Sequence, residues 1–485
     1  MNATSWLSRS VGRPRPAADE QPPQPASKGA PPERSTHERL QATLRRAGEA
    51  LSPRMLRRLL EDLQAVAAER VSEIEAGRRA EAVARWYAQA APEERRDLWL
   101  LICEQFAADA TQVKAAQLRY EEAAGTEEAP QAEAHLRRAL VSPRTRLLQR
   151  FAVFPDGLRF LVELRAELLP RLRGDKRLMP LDVELEQLFS TWFDVAFLEL
   201  RRLSWDSPAS LLEKLIKYEA VHDIKSWADL KNRLDSDRRC YGFFHPRMPD
   251  EPLIFVEVAL ESEITASITP LLDEAAAQAD IQRATTAIFY SISSTQPGLR
   301  GVSFGDSLIK HVVETLTAEF PRLRTFATLS PIPGFRAWLG KHGAAQLEEL
   351  PDKERRALER AVLPEGETEF QFAQLLAAAD QQALELPAKA PLRQFLLRCA
   401  ARYLGRELDK KGRPADPVAR FHLGNGARVE RLNWAGDPSP KGLRQSFGLM
   451  VNYLYDLKRL DRHRAMLAQG RIPVSAEVEA LARQP

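Results

Sequence analysis

TTAIFYSISSTQPGLRGVSFGDSLIKHVVETLTAEFPRLRTFATLSPIPG, residues Thr285 to Gly334, runs from a strand through a glycine-bearing loop into an amphipathic helix and out into a second strand. Ile288, Phe289, Tyr290 and Ile292 supply the β-branched and aromatic content of the first strand, and Gln296-Pro297-Gly298 ends it. From Phe304 the period changes. Leu308, Val312, Leu316 and Phe320 recur every fourth residue, Ile309 and Val313 widen the apolar face, and Lys310, Glu314 and Glu319 stay polar. The unpaired N–H groups of that helix's first turn, beside Gly301 and Gly305, suit a phosphate or diphosphate. Phe326, Thr328 and Ser330 share one face of the second strand, which stops at Pro331. The order strand, loop, helix, strand predicts an α/β unit and places the chemistry there.

Outward from this unit, the 485 residues exceed one ordinary core, and a hydrophobic fraction of 44% fits two or three domains. A formal charge of +3 from nearly equal acid and base counts lacks the one-sided basic field of nucleic-acid binders. Cys103, Cys240 and Cys399 are sparse and odd in number, which points to reduced thiols, and no paired zinc spacing occurs. No apolar run approaches the ~20 residues of a membrane span. A soluble, cytoplasmic protein is expected.

Residues 1–35 are rich in Pro, Ser, Gln and Ala and read as a disordered tail. Arg9, Arg13 and Arg15 give it a faint likeness to a transit peptide, which the proline density opposes. Residues 36–178 read as an all-α helical bundle suited to assembly. Ser52-Pro53, Pro92 with Glu93 and Glu94, and Ser142-Pro143 are helix starts, and Leu56, Leu60, Leu63 and Ala67 form one stripe. Arg173-Gly174-Asp175-Lys176 reads as a hinge, and residues 179–470 as the catalytic domain, with a tail at 471–485.

Within that domain, Arg239–Phe244 and Leu253–Val258 read as strands around a loop, HPRMPDEP, and residues 339–404 as inserted helices. Asn425-Gly426 is a hairpin signal, which would pair His422 with Val429 across a two-residue turn, and a helix is expected from Lys441 to Leu457.

With these segments laid out, the chain resembles the malonyl-CoA decarboxylase family through RRCYGFFHP (238–246), EPLIFVEVAL (251–260), AIFYSISSTQPGLRGVSFGDSLIKHVV (287–313), TLSPIPGF (328–335), FHLGNGA (421–427), NWAGDPSPKG (433–442) and GLMVNYLYDL (448–457). The resemblance implies an α+β multidomain chain. Its helical N-terminal domain would precede a catalytic domain similar to the GNAT acetyltransferases, whose strand, loop and helix bind coenzyme A. That fold's loop pattern matches at Arg300 and Gly305, while Ser303 stands where a glycine is usual. Arg300, Gly301, Val302, Ser303, Phe304, Gly305 and Asp306 are thus the implied coenzyme A contacts. The family's catalytic pair maps onto Ser330 and His422, with Asn433 and Tyr455 as positioning candidates. Ser291, Ser293, Ser294, His245 and His311 are weaker candidates, better explained as structural or surface groups.

The implied reaction converts malonyl-CoA to acetyl-CoA and CO2 through a thioester enolate. The thioester is itself an electron sink, so neither metal nor organic cofactor is expected. A homotetramer is implied by the family. An acyl-CoA-dependent acetyltransferase and a catalytically silent acyl-CoA-binding scaffold remain the alternatives.

Overall fold

A computed structural model describes residues 50–302, 308–363 and 369–483. The first part is helical: α1 (Pro53–Ala67), α2 (Glu73–Gln89), α3 (Pro92–Gln105), α4 (Ala110–Glu122), α5 (Ala129–Leu140), α6 (Pro143–Phe151), α7 (Gly157–Leu168) and α8 (Met179–Trp192). These helices begin where capping chemistry predicts. Ser52 accepts from the Met55 amide ahead of α1, and α3 and α6 start on their prolines. The segment expected as a hinge forms short 3₁₀ turns, Leu169–Arg173 and Lys176–Leu178. Asp175 fixes them by accepting from Arg96 and Arg177.

The second part is built on an eight-stranded mixed sheet: β1 (Glu199–Leu203), β2 (Arg238–His245), β3 (Met248–Glu261), β4 (Thr286–Ser294), β5 (Thr325–Thr328), β6 (Ser330–Pro331), β7 (Arg428–Asn433) and β8 (Met450–Leu454). The order is β1-β2-β3-β4-β5-β8-β6, with β7 on β8. Most of HPRMPDEP is strand rather than loop, since His245 already pairs with Met248. β4 and β5 are parallel over Thr286–Phe289 and Thr325–Thr328 and separate beyond that point. Such a pair needs a crossover. It is supplied by the helix α12 (Leu308–Glu319), which buries Leu308, Ile309, Val312, Val313 and Leu316 as the periodicity predicts.

Helices α9 (Ala209–Tyr218), α10 (Trp227–Arg233) and α11 (Thr269–Leu272) precede α12 in the chain. The inserted helices are α13 (Phe335–Glu348), α14 (Asp352–Val362), α15 (Phe372–Gln382) and α16 (Pro391–Arg406). They are followed by α17 (Pro417–Gly424), α18 (Pro440–Ser446), α19 (Leu460–Ala468) and α20 (Ala476–Arg483).

Two further local expectations are corrected. The FHLGNG segment is no hairpin: His422 lies in α17, capped at its start by Asp416, which accepts from the Val418 and Ala419 amides. At its end Gly426 takes φ +87°, its N–H bonds Leu423 O, and the Ala427 N–H bonds His422 O. That is a Schellman cap, which wants the same Asn-Gly chemistry as a tight hairpin turn. Likewise the helix expected to reach Leu457 stops at Ser446, where Phe447 and Gly448 both take positive φ. MVNYL then enters the sheet as β8, putting Tyr453 and Tyr455 on one side by two-residue alternation.

The main buried core is continuous between the two parts, joining Leu161, Val162 and Leu185 to Phe243, Leu253 and Phe289.

Candidate active site

The site begins with the separation of β4 from β5. Val258 pairs with Phe289 and Glu257 with Ser291, so Tyr290 is the extra residue of a β-bulge. The bulge bends β4 away just where β5 ends. The gap opens into a cavity of about 660 Å³, lined by Phe289, Ser291 and Ile292 on one side and by Ser330, Pro331 and His422 on the other. Arg300, Gly301 and Val302 line the same cavity.

Ser330 is buried on the face that the alternation predicts, and its hydroxyl donates to Thr328 Oγ1 at 2.9 Å. Its Oγ lies 3.3 Å from His422 Nε2, and His422 Nδ1 lies 2.8 Å from the Tyr455 hydroxyl. The imidazole stacks on the Tyr453 ring at 4.7 Å between centroids. Burial alone pushes the His422 pKa down to about 3, so the ring is neutral near pH 7. Burial also drives the Tyr455 phenol well above its ordinary value, so it keeps its proton. Among the described residues Nδ1 is the acceptor in reach of that proton, which puts the imidazole hydrogen on Nε2, facing Ser330. Donation then runs one way, from Tyr455 through His422 and Ser330 to Thr328, whose Oγ1 also accepts from the Tyr453 amide at 3.1 Å.

Other predicted positions divide clearly. Asn433 is outside the cavity lining. It donates to Asn452 Oδ1 and accepts from Arg431, in a buried network that holds β7 to β8. Ser291 and Ser293 donate to the buried Glu219 carboxylate, which also accepts the Val221 and His222 amides, so they brace the cavity wall. Ser294 is exposed but lines the same cavity, and His311 is exposed on α12. His245 accepts from the Arg247 amide and packs edge-on against Phe193. Ser303, Phe304, Gly305 and Asp306 lie outside the described residues, as does the Ser303 departure from the loop pattern.

Sequence reading missed the groups that hold the pair in place. Asp416 caps α17 with Oδ1 and accepts the Gly334 amide at 3.2 Å with Oδ2, tying the segment after Ser330 to the helix carrying His422. Asp416-Pro417 is the helix-start signal that could have revealed it. Arg165 on α7 is buried and donates to Gly298 O at 2.8 Å and Arg300 O at 3.0 Å, while Asp182 Oδ1 holds its Nε at 2.8 Å. Gly298 is required there, because a Cβ would sit 1.9 Å from Val162 O. Nothing local in the sequence announces that clamp. Among the described residues no group of three or more His, Cys, Asp or Glu side chains gathers as a metal site would need.

A mixed sheet split beside a buried Ser–His–Tyr chain, following a helical region, defines an α+β protein with a polar site enclosed at the split. The chain belongs to the malonyl-CoA decarboxylase family. The model of that family's C-terminal domain matches residues 196–485, and that of its N-terminal domain residues 106–193. The chain is similar to the mitochondrial malonyl-CoA decarboxylase of Anser anser anser, 41% identical over 334 residues covering 66% of each chain. It is also similar to that of Rattus norvegicus, 38% identical over 369 residues, 73% of this chain and 74% of the rat protein. The crystal structure of malonyl-CoA decarboxylase from Rhodopseudomonas palustris is 40% identical, covers 89% of this chain and 100% of its own, and superposes with a TM-score of 0.74. Among the described residues no helix is long and apolar enough to cross a membrane.

Proposed function

We propose that the chain decarboxylates malonyl-CoA to acetyl-CoA and CO2 without metal or organic cofactor, with Ser330 and His422 as the catalytic pair. The observation that carries this reading is the contact between Ser330 Oγ and His422 Nε2, buried beside a cavity that Arg300 and Gly301 also line. In this reading the loop holds the coenzyme A carrier and the malonyl group reaches the serine.

The reaction has two demands. A carboxylate must lose its hydration and break its bond to carbon, and the resulting enolate must be stabilised and protonated. Phe289, Ile292, Pro331 and Phe421 give the cavity an apolar lining, which favours the transition state because its charge is more dispersed than that of the carboxylate. Ser330 Oγ hydrogen-bonds the malonyl group and passes protons, and the Nε2–H side of His422 is aimed at the developing charge. A malonyl carboxylate beside the ring opposes the effect of burial and favours imidazolium. The Tyr455 hydroxyl can accept as well as donate, so it follows that change. As CO2 leaves, the electron pair of the broken bond enters the enolate, and its carbon takes the proton from His422. Each turnover consumes one proton, which solvent restores to the imidazole.

A homo-oligomer through the helical region accompanies this reading, in line with exposed Leu118 on α4 and Leu140 on α5. The test is to incubate the purified protein with malonyl-CoA alone in the presence of a metal chelator. Acetyl-CoA and CO2 in equal amounts are expected. A requirement for an amine acceptor would favour acetyl transfer instead, and a strict metal requirement would contradict the mechanism.

A further inference from the structure

Beyond the main cavity lies a second one of about 410 Å³, lined by Ala166, Leu169, Pro170, Arg173, Pro297 and Arg300. It shares Pro297 and Arg300 with the first, so the two meet at the loop after β4. One wall is the end of α7 and the 3₁₀ turn after it, and the other is the loop.

The basic residues around this cavity are not alike. Arg171 pairs with Glu93 and lies over the Trp99 ring, Arg177 and Arg96 pair with Asp175, and Arg165 pairs with Asp182. The carboxylate nearest Gly301, Glu186, is engaged by Arg165. Arg173 and Arg300, both exposed and both lining the cavity, have no carboxylate at ion-pair distance among the described residues. Two guanidinium groups of like charge facing one cleft repel each other, and an anion bound between them relieves that repulsion. Planar, forked donors fit phosphate oxygens in particular.

We propose that this cavity is a phosphate subsite for the coenzyme A part of the substrate, in which Arg173 of the helical region grips phosphate oxygens opposite Arg300 of the loop. The inference rests on the acyl-CoA reading of the main cavity and extends it: the helical region supplies a substrate contact as well as support. The 3′-phosphate and the diphosphate of coenzyme A offer the same chemistry, and truncated substrates separate them.

The experiment measures coenzyme A binding by calorimetry, and kinetics with malonyl-CoA, malonyl-dephospho-CoA and malonyl-pantetheine. Arg173→Ala should weaken coenzyme A binding and raise the malonyl-CoA KM by about tenfold, the worth of one charge-assisted contact. Arg173→Lys should restore part of the loss, and Lys176→Ala, outside the cavity, should leave affinity unchanged. With malonyl-pantetheine, which has neither phosphate group, the KM of Arg173→Ala should equal that of the wild type. If the KM effect disappears already with malonyl-dephospho-CoA, Arg173 holds the 3′-phosphate; if it persists there, Arg173 holds the diphosphate. Coenzyme A affinity unchanged in Arg173→Ala, or an equal KM increase with malonyl-pantetheine, overturns the subsite. A wild-type chain that binds coenzyme A through Arg173 but releases no CO2 removes the decarboxylase reading and leaves the subsite standing.

Discussion

Ser330 Oγ and His422 Nε2 lie 3.3 Å apart although 92 residues separate them in the chain. The serine follows the parallel strand β5 and the histidine rides on α17, and Asp416 binds both segments. The pair is therefore a product of tertiary structure, and each of its supports can be tested singly.

Tyr455→Phe removes the hydroxyl that donates to Nδ1 and frees the imidazole to move its hydrogen away from Ser330. Losing one hydrogen bond to a group that changes charge costs about 1.5 kcal/mol, so kcat should fall about tenfold. The KM for malonyl-CoA should change little, because Tyr455 is buried behind the histidine. Unchanged kcat with an unchanged pH profile would show that the tautomer is set elsewhere.

Asp416→Ala should cost about 1 kcal/mol through the lost helix cap and should also lower kcat, since α17 loses its tie to Gly334. Asp416→Asn keeps one acceptor oxygen, enough for the cap but not for the Gly334 amide as well, so it should recover the stability and not the kcat. Thermal unfolding and steady-state kinetics on the two variants check this; an Asp416→Ala chain as active as wild type would separate the cap from the chemistry.

Arg165→Ala strips the clamp from the Gly298 and Arg300 carbonyls and leaves Asp182 buried without its partner. Removing one member of a buried pair costs about 3 to 5 kcal/mol. Denaturant midpoints should fall accordingly, and in the milder Arg165→Lys the KM should rise more than kcat falls, because the loop and not the Ser–His pair is disturbed. A loss confined to kcat would contradict that division.

Acid should destabilise the fold. Burial holds His422 (down to about 3) and His222 (down to about 4) neutral in the folded chain, whereas an unfolded histidine titrates near ~6.5. Between those values the unfolded chain binds more protons, so the stability is fully present above ~6.5. It is lost as pH falls toward the folded values, by up to ~1.4 kcal/mol per pH unit for each residue. The urea midpoint should therefore drop from neutral to mildly acid pH, and less steeply in His422→Asn. A midpoint flat across that range would mean these rings are not buried neutral.

The parts legible in the sequence are those whose causes are local. Alternation and four-residue periodicity placed β4, α12 and β5, and the shared face of Phe326, Thr328 and Ser330 is realised in the Ser330–Thr328 hydrogen bond. Helix starts followed from Ser-Pro and Pro-acid pairs. Failures came where one local signal serves two structures: Asn-Gly closes α17 instead of turning a hairpin, and Phe447-Gly448 ends α18 before MVNYL joins the sheet. Arg165, Asp416 and Glu219 could not be found by spacing, because their partners come from distant segments and their roles exist only once the core has formed. Asn433, a positioning candidate by resemblance, donates to Asn452 in the network between β7 and β8.

The central claim is that Ser330 and His422 act on the malonyl group. The most direct test is malonyl-CoA turnover by Ser330→Ala and His422→Asn, measured beside coenzyme A binding by the same preparations. Turnover should fall by about a hundredfold or more in each while coenzyme A affinity stays near the wild-type value. Wild-type turnover in either folded variant would contradict it.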